Sequence, residues 1–378
     1  MTDPSSVTIV AHDIGPNGGM ELVLLELIKG LVAAGDRVTV IARTFDGSGI
    51  DVDFHRVPGP SRPFLLAYPW FFLAAGLLLR RHRDGVVQTT GAIVANRVDV
   101  TSVHFCHRGF ASKGGEPQTS HPGLVFRAHA RVAAAMSRIG EGLCYRPGRV
   151  TTVVAVSRGV ADELRAHYPA IAQNIVVIPN GVDIKRFSPS PARRTATRSK
   201  LELADDALVA LFVGGDWERK GLSFAIDAVA QAPQWILVVV GGGDRERYGT
   251  LAARLGVADR VHFLGHVADT APIFQSADVL VLPTTYEADP LVALEAAAAG
   301  LPVLATPVNG VVDLVQDGAS GYLIERDGAS LAQRLCDLAS MDGTLTHMRL
   351  AARQTALTRS WDVAVAKHHA LYVAIGRG

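Results

Sequence analysis

Apolar positions alternate between two rhythms along most of the chain. Short unbroken runs of mostly branched residues are followed by longer stretches in which apolar residues return at helical spacing. Val7 to Ala11 is such a run, Leu22 to Val32 is a helical stretch closed by Gly35, and Arg37 to Ala42 is the next run. Further runs stand at Val86 to Gln88, Val98 to His107, Val153 to Ser157, Ile175 to Ile178, Ala207 to Val213, Ile236 to Val240, Arg260 to Gly265, Val279 to Leu282 and Pro302 to Thr306. Continuous apolar runs suit strands buried on both faces, so the alternation predicts α/β units with doubly wound parallel sheets. Gly318 to Ile324 reads as a hairpin-like exit from the last sheet, and Ala329 to Leu338 as an outer helix.

A length of 378 residues exceeds what one core usually serves, which predicts two domains. The polar stretch Ser188 to Lys200, with two prolines and four basic residues, reads as the linker between them. The expected division is 1–187, 188–358 and a terminal helical segment 359–378. Phe64 to Leu79 is almost wholly apolar, contains Pro69, and is flanked by Arg62 and by Arg80, Arg81 and Arg83. At sixteen residues it is short for a bilayer span. It reads as a buried helix of the N-terminal sheet or as a helix lying on a membrane surface through 62–83, its arginines meeting anionic lipid.

Charge and cysteine content narrow the class. A net charge of +1 gives no field for nucleic acid. Three scattered cysteines, Cys106, Cys144 and Cys336, suit neither a disulfide framework nor a zinc site and point to a reducing compartment. Met1 to Ser6 has no basic patch before an apolar core, so no signal peptide is expected and the location expected is cytoplasmic.

The stretch from Val279 to Gly300 carries the sharpest chemistry: a strand, a loop holding Glu287, and a helix holding Glu295 that Asp289 and Pro290 open and Gly300 closes. In doubly wound sheets ligands lie beyond the carboxyl ends of strands, beside helix N-termini that favour anions. The loop from Gly214 to Gly221 adds Gly215, Arg219 and Lys220 at another strand end, where glycine lets backbone approach and the cations suit a diphosphate. The first strand runs into Gly18 and Gly19, with neither a Walker sequence nor a full dinucleotide fingerprint. His104 and His107 close another strand; with Cys106 their spacing is too tight for zinc.

On Glu287, Glu295 and the seven residues between them, together with Lys220, the glycine pair and His104, the chain resembles the retaining glycosyltransferases of family 4, the group 1 enzymes, and within them the lipopolysaccharide core glucosyltransferase-like subgroup. The resemblance implies the GT-B fold, two Rossmann-like doubly wound domains facing across a cleft, with a terminal helix crossing back to the first. It implies transfer of a hexose from a UDP- or GDP-linked sugar to a glycan, glycolipid or lipid-linked acceptor, with no metal or other cofactor, by a monomer or weak dimer at or off the inner face of the membrane. Glu287 would contact the donor sugar and Glu295 the ribose hydroxyls. Lys220 and Arg219 would meet the diphosphate, and His104 would lie near the sugar, with His107 in reserve. Gly18, Gly19, Gly215, Leu264, Leu291 and Val292 would line the substrates. Ala288-Asp289-Pro290 stands where the family usually has Gly-Phe-Gly, and Gly215 where it usually has Arg.

Other classes fit less of the chain. Asp51 and Asp53 match a metal-holding Asp-x-Asp, but Asp46-Gly-Ser-Gly precedes them where an apolar strand is needed. A glycosidase could use two carboxylates but gives the glycine loops and the Arg219–Lys220 pair no task. A sugar-nucleotide epimerase or hydrolase of the same architecture, and a catalytically silent scaffold subunit, remain the alternatives.

Overall fold

The structure, a computed structural model, describes residues 5–112, 123–340 and 343–376; the first four residues, part of the stretch behind the leader expectation, lie outside that set. The chain divides into two compact units, 1–180 with 361–378, and 181–360. The terminal helix Trp361–Gly376 thus belongs to the first unit.

Among the described residues of the first unit nine strands are formed: β1 Ser6–Val10, β2 Asp13–Ile14, β3 Arg37–Ala42, β4 Thr44–Phe45, β5 Asp53–Arg56, β6 Val86–Thr90, β7 Val98–Val103, β8 Val150–Ala155 and β9 Ile175–Val177. Seven of them form one sheet in the order β5-β3-β1-β6-β7-β8-β9, all pairs parallel, and β2 and β4 make a separate parallel pair. The sheet grows one way from β1 to β5 and the other way from β6 to β9, and that reversal of strand order is the mark of double winding. Val7 and Ile9 of β1 are fully buried because helices cover both faces. The Gly19–Ala33 helix lays Leu24, Ile28 and Leu31 on the core, and the Trp361–Gly376 helix adds Val365 and Tyr372 to the same cluster. Gly30 lets these two helices approach: a Cβ there would sit 2.4 Å from a Val365 methyl. Tyr372 then donates to Gln88 at 2.6 Å, and His369 pairs with Asp36 at 2.7 Å.

The second unit adds β10 Leu208–Val213, β11 Trp235–Val240, β12 Val261–Gly265, β13 Val279–Leu282, β14 Val303–Ala305 and β15 Gly321–Leu323. Their order is β12-β11-β10-β13-β14-β15, again wholly parallel. β15 is therefore a parallel edge strand and the hairpin expectation for 318–324 fails; the turn there closes on itself, Gly318 N–H donating to Gly321 O at 2.9 Å.

Three further expectations change. The boundary moves from 187/188 to 180/181 and from 358/359 to 360/361, because Val182 N–H donates to Arg359 O at 2.9 Å and Phe187 packs edge-on against Phe274. The supposed linker is the helix Pro191–Lys200, capped by Ser190. Two of its basic residues turn inward, while Arg193 and Lys200 stay exposed: Arg198 has no exposure and donates to Asp278 at 2.8 Å, Arg194 reaches the same carboxylate at 2.7 Å, and Arg349 joins them. The Phe64–Arg81 helix buries only one face, through Ala67, Phe71, Ala75 and Leu79, while Leu66, Trp70, Leu73 and Leu77 are 52–68% exposed.

Candidate active site

Two loops at the carboxyl ends of neighbouring strands build the acidic and basic cluster in the second unit. β10 and β13 are hydrogen-bonded neighbours, so the loop leaving Val213 and the loop leaving Leu282 emerge side by side. After β10, Asp216 caps the single helical turn Trp217–Lys220, its side chain accepting from Arg219 N–H at 3.2 Å. Gly221 ends that turn with φ 82°, and a Cβ there would lie 2.2 Å from Pro283 O. Only glycine suits both the left-handed backbone and that contact. Gly214, at φ 154°, plays a second part: a Cβ there would lie 2.3 Å from Lys220 Cδ, so its lack of a side chain leaves the lysine its path. The loops are pinned together by Thr285 N–H donating to Arg219 O at 3.0 Å. Arg326 clamps both, reaching Pro283 O and Glu218 O at 3.1 Å each.

Glu287 lies at the centre. One of its oxygens, Oε1, accepts from Lys220 Nζ at 2.9 Å and from Arg219 Nη1 at 3.0 Å. Arg219 is itself fixed by Asp216 at 2.9 Å and by Tyr286 O. Burial alone would raise the Glu287 carboxyl, but the charges and hydrogen bonds of Lys220 and Arg219 outweigh it and hold the group below the usual carboxylate range. Glu295 has the opposite balance: burial lifts its carboxyl to about 7, against the weaker pull of Arg186 and Lys220. Lys220 therefore acts on both acids, one held ionised and the other close to half-protonated at neutral pH.

Glu295 stands on the Leu291–Ala298 helix, which Gly300 terminates at φ 75°. Asp289 does not cap this helix as the sequence suggests. Pro290 occupies the cap position, and Asp289 is buried against Arg359, at 2.6 Å and 2.7 Å from its Nη2. Ala293 and Leu294 N–H already bond Pro290 O, which leaves the Leu291 and Val292 amides without an intrahelical acceptor. Two free amides, a helix N-terminus and Lys220 form a setting suited to an anion. Gly215 faces open space, with only Gly242 O at 3.7 Å from where a Cβ would be, and Leu264 is partly buried at the edge of the core below.

The remaining predicted residues stand in the first unit. Gly18 precedes the Gly19–Ala33 helix at φ 100°, a position that disfavours side chains, and Gly19 has nothing within 4 Å of a Cβ. His104 follows β7, and burial lowers its imidazole to about 4, so it is neutral at physiological pH. His107 opens the next short helix, its N–H donating to Glu141 at 2.8 Å. Asp53 is tied to His55 at 2.9 Å on edge strand β5. Sequence inspection missed Arg186, Arg326 and the capping role of Asp216, of which only the last carries a local signal, Asp followed three residues later by the residue whose amide it takes.

Comparisons with known proteins bear on the family and the fold. Residues 17–186 match the family model for glycosyltransferase family 4, and residues 207–341 match the model for group 1 glycosyl transferases. A D-inositol 3-phosphate glycosyltransferase of Streptomyces avermitilis is 31% identical over 95% of this chain and 84% of its own. One of Geodermatophilus obscurus is 32% identical over 95% of this chain and 85% of its own. Among solved structures, WaaG, a glycosyltransferase of lipopolysaccharide biosynthesis, matches with a TM-score of 0.82 at 23% identity, covering 98% of this chain and 100% of that one. Anabaena HepE in complex with UDP and glucose matches at 0.74 and 21% identity over 98% and 99%. Two wholly parallel Rossmann-like sheets and these neighbours make the fold GT-B, and the chain belongs to glycosyltransferase family 4, the group 1 glycosyltransferases.

Proposed function

We propose that this glycosyltransferase moves a hexose from a nucleoside-diphosphate sugar to a cell-envelope glycan or lipid-linked acceptor, with retention at the anomeric carbon and without a metal. The observation that carries the donor side is Glu287 held by Lys220 and Arg219 beside the free amides of Leu291 and Val292. HepE, of the same fold, has been solved with UDP-glucose. As the glycosidic bond breaks, negative charge grows on the diphosphate and positive charge on the sugar. Lys220 and Arg219 are in place before the reaction and stabilise the first, while ionised Glu287 orients the sugar. From the first unit Gly18 and Gly19 serve the donor sugar and the acceptor and His104 the donor sugar, and Gly215, Leu264 and Glu295 line the nucleotide.

On the acceptor side, the relatives' name offers an inositol phosphate as a second reading, supported by 31% identity across nearly the whole chain. The exposed apolar face of the Phe64–Arg81 helix, bracketed by arginines, favours the lipid-linked one and a peripheral position on an anionic membrane.

The test is a panel of UDP-glucose, UDP-galactose, UDP-N-acetylglucosamine and GDP-mannose, read as binding and slow hydrolysis. Wild type binds and cleaves one donor; Lys220→Ala keeps the fold and loses a factor of roughly 10²–10³ in kcat, about 2.7–4 kcal/mol of barrier. Wild-type turnover in Lys220→Ala removes the residue from the mechanism. Donor cleavage and sugar inversion with no acceptor requirement would favour the epimerase alternative, and no donor binding a silent scaffold.

A further inference from the structure

The first unit contains a cavity of about 500 Å³, well within the range of small-molecule sites. Strand ends make its floor: His12 after β1, Thr90 at the end of β6, and His104 after β7. The Phe64–Arg81 helix supplies one wall through Phe64 and Tyr68, and the Leu124–Cys144 helix supplies another through Ala130, Ala133 and Ala134. Phe105 and Phe110 close it. Most of what a ligand would touch is hydrocarbon or aromatic ring.

Two polar atoms lie beneath that surface. His12 Nδ1 and Thr90 Oγ1 are buried and have no hydrogen-bond partner among the described residues. A buried polar group without a partner is costly, but with almost no accessible surface neither atom is open to a ligand in the cavity. Their polar neighbours are already engaged: Tyr68 donates to Ala92 O at 2.5 Å, and Glu141 accepts from His107 N–H at 2.8 Å and from Tyr168 at 2.7 Å. Burial lowers His12, His104 and His107 to about 4, so the imidazoles around the cavity are uncharged at neutral pH. Arg138 completes the lining on the same helix as Glu141.

We propose that this cavity binds the aglycone of the acceptor, an apolar body seated against its aromatic and alanine walls. The assignment rests on the chain being a glycosyltransferase, and it names the class of molecule glycosylated: an amphiphile with a hydrocarbon body, in place of a fully polar cyclitol phosphate.

The experiment titrates the full chain with methyl, butyl, hexyl and octyl β-glucosides below their micelle concentrations, with D-inositol 3-phosphate alongside. Affinity is expected to rise about fourfold per methylene until the cavity is filled. Ala133→Trp, which puts a ring into the empty space, abolishes that slope, whereas Leu73→Ser, on the exposed outer face, leaves it unchanged. UDP-glucose binding is followed in every variant, reports that the protein is folded, and is unaffected by Ala133→Trp. A flat series in protein that binds UDP-glucose overturns the cavity assignment alone, as does a slope that survives Ala133→Trp or displacement of octyl glucoside by D-inositol 3-phosphate at lower concentration. A graded series in protein that binds none of the four nucleotide sugars overturns the glycosyltransferase reading, and with it the role of acceptor.

Discussion

Glu287 and Glu295 are the same residue type eight positions apart, yet their surroundings drive their ionisation in opposite directions. Glu287 shares two cations and stays charged, while Glu295 is dominated by burial and has its carboxyl at about 7. In the proposed donor site the Glu295 carboxylate accepts hydrogen bonds from two ribose hydroxyls, so donor binding is expected to select ionised Glu295 and release a proton. Between pH 6 and 8 the ionised fraction of a group with that pKa rises about tenfold, and UDP-glucose affinity is expected to follow it. UDP-glucose suits the measurement because its diphosphate is esterified at both ends. Calorimetry in buffers of different ionisation enthalpy checks the proton release, and Glu295→Gln flattens the profile. The stability term has the sign of a raised acid: it is fully present below the unfolded value near 4.5 and is lost as pH rises through 7.

At the scale of elements, strands were the most legible part of the sequence. Arg37–Ala42 and Val279–Leu282 form as read, because a strand buried on both faces must be continuously apolar. The Pro191–Lys200 helix was illegible for a related reason. Its polar composition reads as solvated, and the carboxylate that draws Arg194 and Arg198 inward, Asp278, lies 80 residues from Arg198. Asp289 misled in the same way, since its local pattern is that of a cap while its partner Arg359 is 70 residues away. Glu287, Arg219 and Lys220 could be named one by one from their strand-end loops and the family resemblance, but the part of Gly214 could not, because a glycine gives no sign of which side chain it makes room for. Arg198→Ala would leave Asp278 with less of its counter-charge and strip the carbonyls of Ala204, Asp205 and Ala207 of their donor. The expected loss is about 3–5 kcal/mol in the second unit, read as a lower urea midpoint for that transition. UDP-glucose should still bind at low temperature, since Arg198 lies outside the site.

For the molecule as a whole, the exposed apolar faces gather on the first unit. Leu66, Trp70, Leu73 and Leu77 are on the Phe64–Arg81 helix, and Val125, Val132, Ile139 and Leu143 on the Leu124–Cys144 helix, which packs against it. Arg80 and Arg81 lie in the last turn of the first of these. Sedimentation with vesicles containing phosphatidylglycerol tests the membrane proposal: Arg80→Ala with Arg81→Ala lowers the partition constant roughly 30-fold, from about 1 kcal/mol for each charge near the surface, and more so at low salt. Recovery equal to wild type at every salt concentration would exclude electrostatic docking through these residues.

The return of Trp361–Gly376 to the first unit also sets an order of assembly during translation. Domains usually fold as the ribosome releases them, beginning from the N-terminus. Here residues 1–180 emerge first but lack Val365 and Tyr372, which fill the core beside Leu24, Leu27 and Ile28. Residues 181–360 hold everything their own sheet requires and are made in one piece. The unit that begins the chain is therefore finished second, and its apolar helix face waits uncovered while the other is synthesised.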